Sequence, residues 1–181
     1  LARVFFDAGR GEEAVEAAHK AIGLFRGLVE DSAAAFASDL AVSLDNLANV
    51  LSGLGHRSEA LEAAQEAVGL YRAFVEDSSP ACTSRLASSL SSLAKRLSDV
   101  GRRDEAVDAA QDAVGLCRNL VEVSPEAYTP DLASSLHKLA SILSGLGRWG
   151  EALEVAQEAA GLYRDLVEVS PEAYTPDLAR S

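Results

Sequence analysis

At 181 residues, 48% hydrophobic and 24% charged, the chain has the composition of a globular protein, not a disordered one. Its net charge of −12 argues against a nucleic-acid partner, whose backbone needs a basic footprint. No uncharged apolar run approaches the roughly 18 residues that span a bilayer, so no membrane association is expected.

The sequence begins at Leu1 inside a helical pattern, without a basic-then-apolar leader, and reads as a piece of a longer protein. Gly9, Gly55, Gly101 and Gly147 then recur at a spacing of 46 residues, and most of their surroundings recur with them. Ala14, Ala60, Ala106 and Ala152 form one such series, and Leu40, Leu86, Leu132 and Leu178 another. The run LVEVSPEAYTPDLA occurs at 120–133 and again, unchanged, at 166–179, which marks duplication of a module. A fixed period of this length is the signature of a stacked array, in which each unit buries its apolar face against its neighbour. The copies fall at 1–38 (first helix truncated), 39–84, 85–130 and 131–176, with 177–181 the stub of another.

In the partial first copy only a second helix is expected in full, at about residues 12–30. Copy two shows the whole unit. From Asp39 to Leu54 apolar residues fall at Leu40, Leu44, Leu47, Ala48 and Leu51, the stripe of an amphipathic helix. Gly55 follows where a left-handed C-cap is wanted. Ser58 is expected to cap a second helix over 58–76, with Ala60, Ala63, Ala64, Ala67, Leu70, Tyr71, Phe74 and Val75 turned inward. Copies three and four repeat this, with second helices at 104–122 and 150–168 and Asp104 in the capping slot. The connections carry Pro80, Pro125 and Pro171. The next first helix is expected to open at Thr129-Pro130-Asp131 and at Thr175-Pro176-Asp177. Leu93, in mid-array, is expected at the centre of the stack. Gly23, Gly69, Gly115 and Gly161 fall in the middle of every second helix, where each costs about 1 kcal/mol relative to alanine, and a softer or bent helix is expected there.

The spacing of Leu44, Leu47, Ala48, Leu51, Gly55, Ala60, Ala64 and Ala67 resembles the tetratricopeptide repeat signature. The same slots hold Leu90, Leu93, Ala94, Leu97, Gly101, Ala106, Ala110 and Ala113, then Leu136, Leu139, Ala140, Leu143, Gly147, Ala152, Ala156 and Ala159. Two departures stand out. Alanine (Ala64, Ala110, Ala156) fills a slot usually held by an aromatic, and the unit is about 12 residues longer than the standard 34. In this it is similar to the extended, kinesin-light-chain-like class and to long-period arrays of multidomain signalling proteins. The resemblance implies an all-α fold: a right-handed α-solenoid of stacked antiparallel helix-turn-helix repeats, first helices lining a concave groove and second helices forming the convex back.

The second helices carry −2, −3, −4 and −4, so the back is acidic and the groove nearly neutral. On the polar face of the first helix the copies diverge. They read Asp45, Ser91, His137, then Asn46, Ser92, Lys138, then Asn49, Lys95, Ser141, with Arg3 in the Asn49 slot of copy one. On the family's geometry these ten residues project into the groove and suit an extended peptide held by amide and ammonium groups. Asp45 replaces the basic partner that a clamp for a C-terminal carboxylate would need beside Asn49.

Catalytic chemistry is not in view. His19, His56 and His137 occupy unrelated slots without metal-ligand spacing, and no GxSxG, HExxH or P-loop occurs. No cofactor or metal is expected. Cys82 and Cys117 stand in slots filled elsewhere by aromatics, which fits packing and a reducing, cytoplasmic setting. Trp149 replaces Arg57 and Arg103 at the start of a second helix and is expected to pack on an adjacent turn. The leading expectation is a non-catalytic scaffold that binds a protein or peptide, the recognition or regulatory arm of a larger protein. The alternative is homo-oligomerisation through exposed end faces.

Overall fold

The computed structural model describes residues 9–31, 33–74, 79–169 and 171–178. Among these every regular element is an α-helix: α1 (Gly11–Asp31), α2 (Ala33–Gly53), α3 (Arg57–Phe74), α4 (Pro80–Asp99), α5 (Arg103–Val123), α6 (Pro125–Gly145), α7 (Trp149–Val169) and α8 (Pro171–Leu178). α2, α4 and α6 are first helices of the repeat, and α1, α3, α5 and α7 are second helices.

Among the described residues each helix packs on its chain neighbour and none touches an element more than two places away, so α1 and α8 do not fold back on each other. Successive first helices meet, α2 with α4 and α4 with α6, whereas no two second helices come together backbone to backbone. An array whose members touch on one side and spread on the other curves towards the touching side. The first helices therefore form the inner layer of the solenoid.

The repeated slots make the core. Leu44, Leu90 and Leu136 are all at most 2% exposed, and Ala60, Ala64, Ala67, Ala106, Ala110 and Ala113 are equally closed off. These small side chains let the two helices of a hairpin approach closely, and the leucines fill the seams between hairpins. Leu93 differs from the expectation. It is half-buried between the two core clusters, and Leu90 takes the central place in α4.

Gly55, Gly101 and Gly147 close each first helix in the left-handed conformation, with φ of 84°, 80° and 74°. Around Gly55 the His56 N–H donates to the Leu51 carbonyl at 2.9 Å and the Gly55 N–H to the Ser52 carbonyl at 3.1 Å. That is the paired bond of a Schellman motif, and it recurs at Gly101 and Gly147.

Helix starts differ from the sequence reading. α6 opens at Pro125, so Pro130 lies inside it. α4 opens at Pro80, capped by Ser79, whose hydroxyl accepts from the Cys82 N–H at 3.2 Å. The Ser-Pro pair is the start signal, proline sitting at the first helical position where its missing N–H costs nothing. Thr129, expected as a cap, instead donates its hydroxyl back to the Pro125 carbonyl at 2.7 Å. The second helices also begin earlier than expected. Ser58 and Asp104 lie within the first turns of α3 and α5, and no side chain caps α5. In their place the residue before the helix pairs with a glutamate three positions on: His56 with Glu59 at 2.9 Å, Arg102 with Glu105 through Nε at 2.7 Å, and Arg148 with Glu151 likewise.

Across the acidic back, arginines of one repeat reach acids of the next: Arg26 to Glu66 at 2.8 Å, Arg72 to Asp112 at 3.3 Å and Arg118 to Glu158 at 2.9 Å. Each second helix runs unbroken through its central glycine. A Cβ built at Gly23, Gly69, Gly115 or Gly161 would meet nothing within 4 Å.

Candidate partner-binding groove

The 46-residue period puts equivalent residues of α2, α4 and α6 side by side on the inner layer. Between these helices opens a pocket of about 530 Å³. Its walls are Asn49 from α2, then Ser91, Ser92, Lys95, Arg96, Ser98 and Asp99 from α4, then His137, Lys138, Ser141 and Ile142 from α6. Seven of the residues expected in the groove thus meet in one place: Asn49, Ser91, Ser92, Lys95, His137, Lys138 and Ser141. Three do not. Asn46 is exposed and borders a separate hollow of about 460 Å³ with Ala17, Lys20, Leu24 and Ser43. Asp45 is turned into the stack. Arg3 lies outside the described residues.

Asp45 lies between α2 and α4, outside the pocket's lining. Its carboxylate accepts a hydrogen bond from the buried Ser89 hydroxyl at 3.0 Å. Loss of solvent pushes its pKa up to about 6, against the pull of the Ser89 hydrogen bond and the charge of Arg96. Tyr71, close by, is raised to about 12 by burial and by the Asp45 charge.

The residue that sequence reading passed over is Arg96. It is 5% exposed and occupies the slot held by Val50 in copy two and Ile142 in copy four. Its Nη1 donates to the Ser52 hydroxyl at 2.5 Å and its Nη2 to the Asn49 side-chain oxygen at 2.8 Å, while Asp99 stands at 3.6 Å. Its Nε finds no acceptor. Burial lowers the guanidinium pKa, with Asp99 and Asp45 opposing the shift. Its signal in the sequence is a cation in a slot that is apolar in the other copies.

Lys138 projects from the opposite wall. Its side chain is exposed as a whole, yet the pocket's walls crowd its ammonium, and desolvation draws its pKa below the ordinary lysine value. Neighbouring Cys117 and Asp131 act in the opposite sense. Cys117 itself is buried, as expected, with its sulfur 3.5 Å from the Ser135 hydroxyl.

Trp149 does not pack down. It is 67% exposed and, with Leu153 at 59%, borders a shallow groove with His137, Ala140 and Ser144. The slot of Leu153 is closed in the inner copies, where Leu61 and Val107 are at most 8% exposed. No cluster of metal-ligating side chains comes together among the described residues, and no helix there is long and apolar enough to cross a membrane.

Comparison with known proteins follows the same lines. The Tetratricopeptide repeat family model matches residues 40–81, 86–126 and 132–172. No curated protein matches the sequence. Among solved structures the fold is similar to BtubC (BKLC) from P. vanneervenii, with a TM-score of 0.72 at 18% identity over 91% of this chain. The chain spans 61% of that protein's length. A putative kinesin light chain with nearly identical TPR-like repeats from Podosopora anserina is similar at a TM-score of 0.61 and 20% identity, covering 94% of this chain and 74% of that one. A protein described as the DHF58 filament aligns at a TM-score of 0.56 and 18% identity, covering 94% of this chain and 91% of that one.

Proposed function

The chain belongs to the tetratricopeptide repeat family, whose arrays generally act as non-catalytic scaffolds for protein–protein interaction, and on that premise we propose that this one holds an extended peptide of a protein partner along its first helices. The observation that carries the reading is the convergence of Asn49, Ser91, Ser92, Lys95, His137, Lys138 and Ser141 on one pocket of the inner layer. Amide, hydroxyl and ammonium groups at these positions can pair with the unsatisfied N–H and C=O groups of an extended backbone. The leucine and alanine slots beneath stay the same from copy to copy while these residues vary, which separates scaffold from specificity. Such a module serves as the recognition or regulatory arm of a larger cytoplasmic protein.

The test is selection of peptides from a random library on the immobilised chain, followed by Lys95→Glu with Lys138→Glu. Both side chains are exposed, so circular dichroism should be unchanged. Affinity for the selected peptides should fall at least about tenfold, equivalent to 1.4 kcal/mol. Full affinity in the double variant would place the binding surface elsewhere.

One observation favours a second reading, self-association. Leu153 leaves apolar surface open in a slot where Leu61 and Val107 are covered, and the exposed Trp149 stands one turn before it. In sedimentation over a concentration series, Leu153→Glu should abolish any dimer seen for the parent chain. A parent chain that stays monomeric throughout would remove this reading.

A further inference from the structure

The pocket carries more positive charge than a neutral backbone requires. Lys95, Arg96 and Lys138 line it with one carboxylate, Asp99, while Asp45 acts on Arg96 and Asp131 on Lys138 from behind the walls, so the lining itself is cationic in a chain of net charge −12. Neither ammonium has an ion-pair partner among the described residues. Arg96 is the costlier feature. A guanidinium that is 5% exposed and leaves one N–H without an acceptor weakens the stack. Isoleucine at the same slot in copy four and valine in copy two show that packing does not call for it. With Asn49, Ser52 and Asp99 as acceptors, Arg96 uses only part of its five-donor fork. Serine hydroxyls stand beside these cations on α4 and α6.

We propose that this pocket receives a phosphorylated side chain of the bound peptide. At neutral pH a phosphoryl group carries about −1.5 to −2 charge and three strong acceptor oxygens. It therefore offers the three lining cations more negative charge and more acceptor oxygens than a carboxylate does. Its oxygens can also be shared between an ammonium, a guanidinium and a hydroxyl at once, as charge-assisted hydrogen bonds favour. The inference rests on the reading of the inner layer as a peptide groove and adds the chemical class of the ligand's anchoring residue.

The experiment titrates four probes into the full chain and follows backbone amide resonances: acetyl-Ala-phosphoserine-Ala-amide, its serine and glutamate counterparts, and inorganic phosphate. Saturable shifts confined to the pocket residues are expected with the phosphorylated tripeptide. Its affinity should exceed that of the glutamate peptide and of inorganic phosphate by about tenfold or more. Lys95→Gln with Lys138→Gln should weaken it by a similar factor, and Arg96→Ile should do so with the helical spectrum retained. Three results overturn the proposal: equal binding of the glutamate peptide, equal binding of inorganic phosphate, or a phosphopeptide response indifferent to the substitutions. If the phosphopeptide fails while unphosphorylated library peptides still occupy the first helices, the inference falls and the groove reading stands. Phosphopeptide shifts lying wholly on the second helices would sink both.

Discussion

At the scale of single residues, Asp45 and Arg96 set the character of the inner layer, and Asp45 comes with a consequence readable against pH. The Asp45 carboxyl titrates near 6 in the folded chain, against an ordinary value of 3.8, because solvent is stripped from it. The folded state thus favours its protonated form, and the cost of ionising it builds as pH rises from about 4 to about 6. Relative to Asp45→Asn, the parent chain should lose stability over that window and level off above it, as read from urea midpoints. A difference that stays constant from pH 4 to 7 would contradict the burial of this carboxylate. Much at this scale was legible in the sequence. Most of the recurring leucines and alanines are buried where their spacing put them, because helical periodicity turns those slots to one face, with Leu93 and Ala156 only partly covered. Arg96 was not legible in the same way. Its role depends on a cation in an apolar slot finding Asn49 and Ser52 across a repeat boundary, a long-range partnership that periodicity does not encode. Trp149 differs from the packing expectation because its slot is exposed in each copy, as Arg57 and Arg103 show, and an indole there has little to pack against.

At the scale of elements, glycines divide into two kinds that call for opposite experiments. Those closing the first helices adopt positive φ, so Gly101→Ala should cost about 1–2 kcal/mol through left-handed strain. Those in the middle of the second helices sit in ordinary helix with open space around them. Gly69→Ala with Gly115→Ala should therefore stabilise the chain, by about 1 kcal/mol each, and raise its thermal midpoint. No change or a drop would mean that something approaches these sites closely. The turn glycines were readable in advance because their place after the last leucine has one conformational meaning. Helix starts were less so. The last two connections each offer two prolines, Pro125 and Pro130 and then Pro171 and Pro176, and both members of each pair suit a helix opening. The earlier one prevails because a proline six residues in removes only one carbonyl's partner, while the longer helix keeps the remaining bonds of that turn.

At the scale of the whole molecule, charge and curvature act together. The acidic second helices are spread apart and joined by arginine-to-acid pairs, whose exposure limits each to about 0–1 kcal/mol. The array is held chiefly by the apolar seams, and the first helices are left to present the residues that differ between repeats. Fold and repeat period were thus open to sequence reading, and so was the helix face on which the copies differ. The depth of the pocket and the burial of its arginine required the packed structure. The most direct test is hydrogen–deuterium exchange on the chain with and without a library-selected peptide. The account predicts added protection on the inner layer, in segments containing Asn49, Ser91 to Asp99 and His137 to Ile142, with the second helices unchanged. Protection confined to the second helices, or to the surface around Trp149 and Leu153, would contradict it.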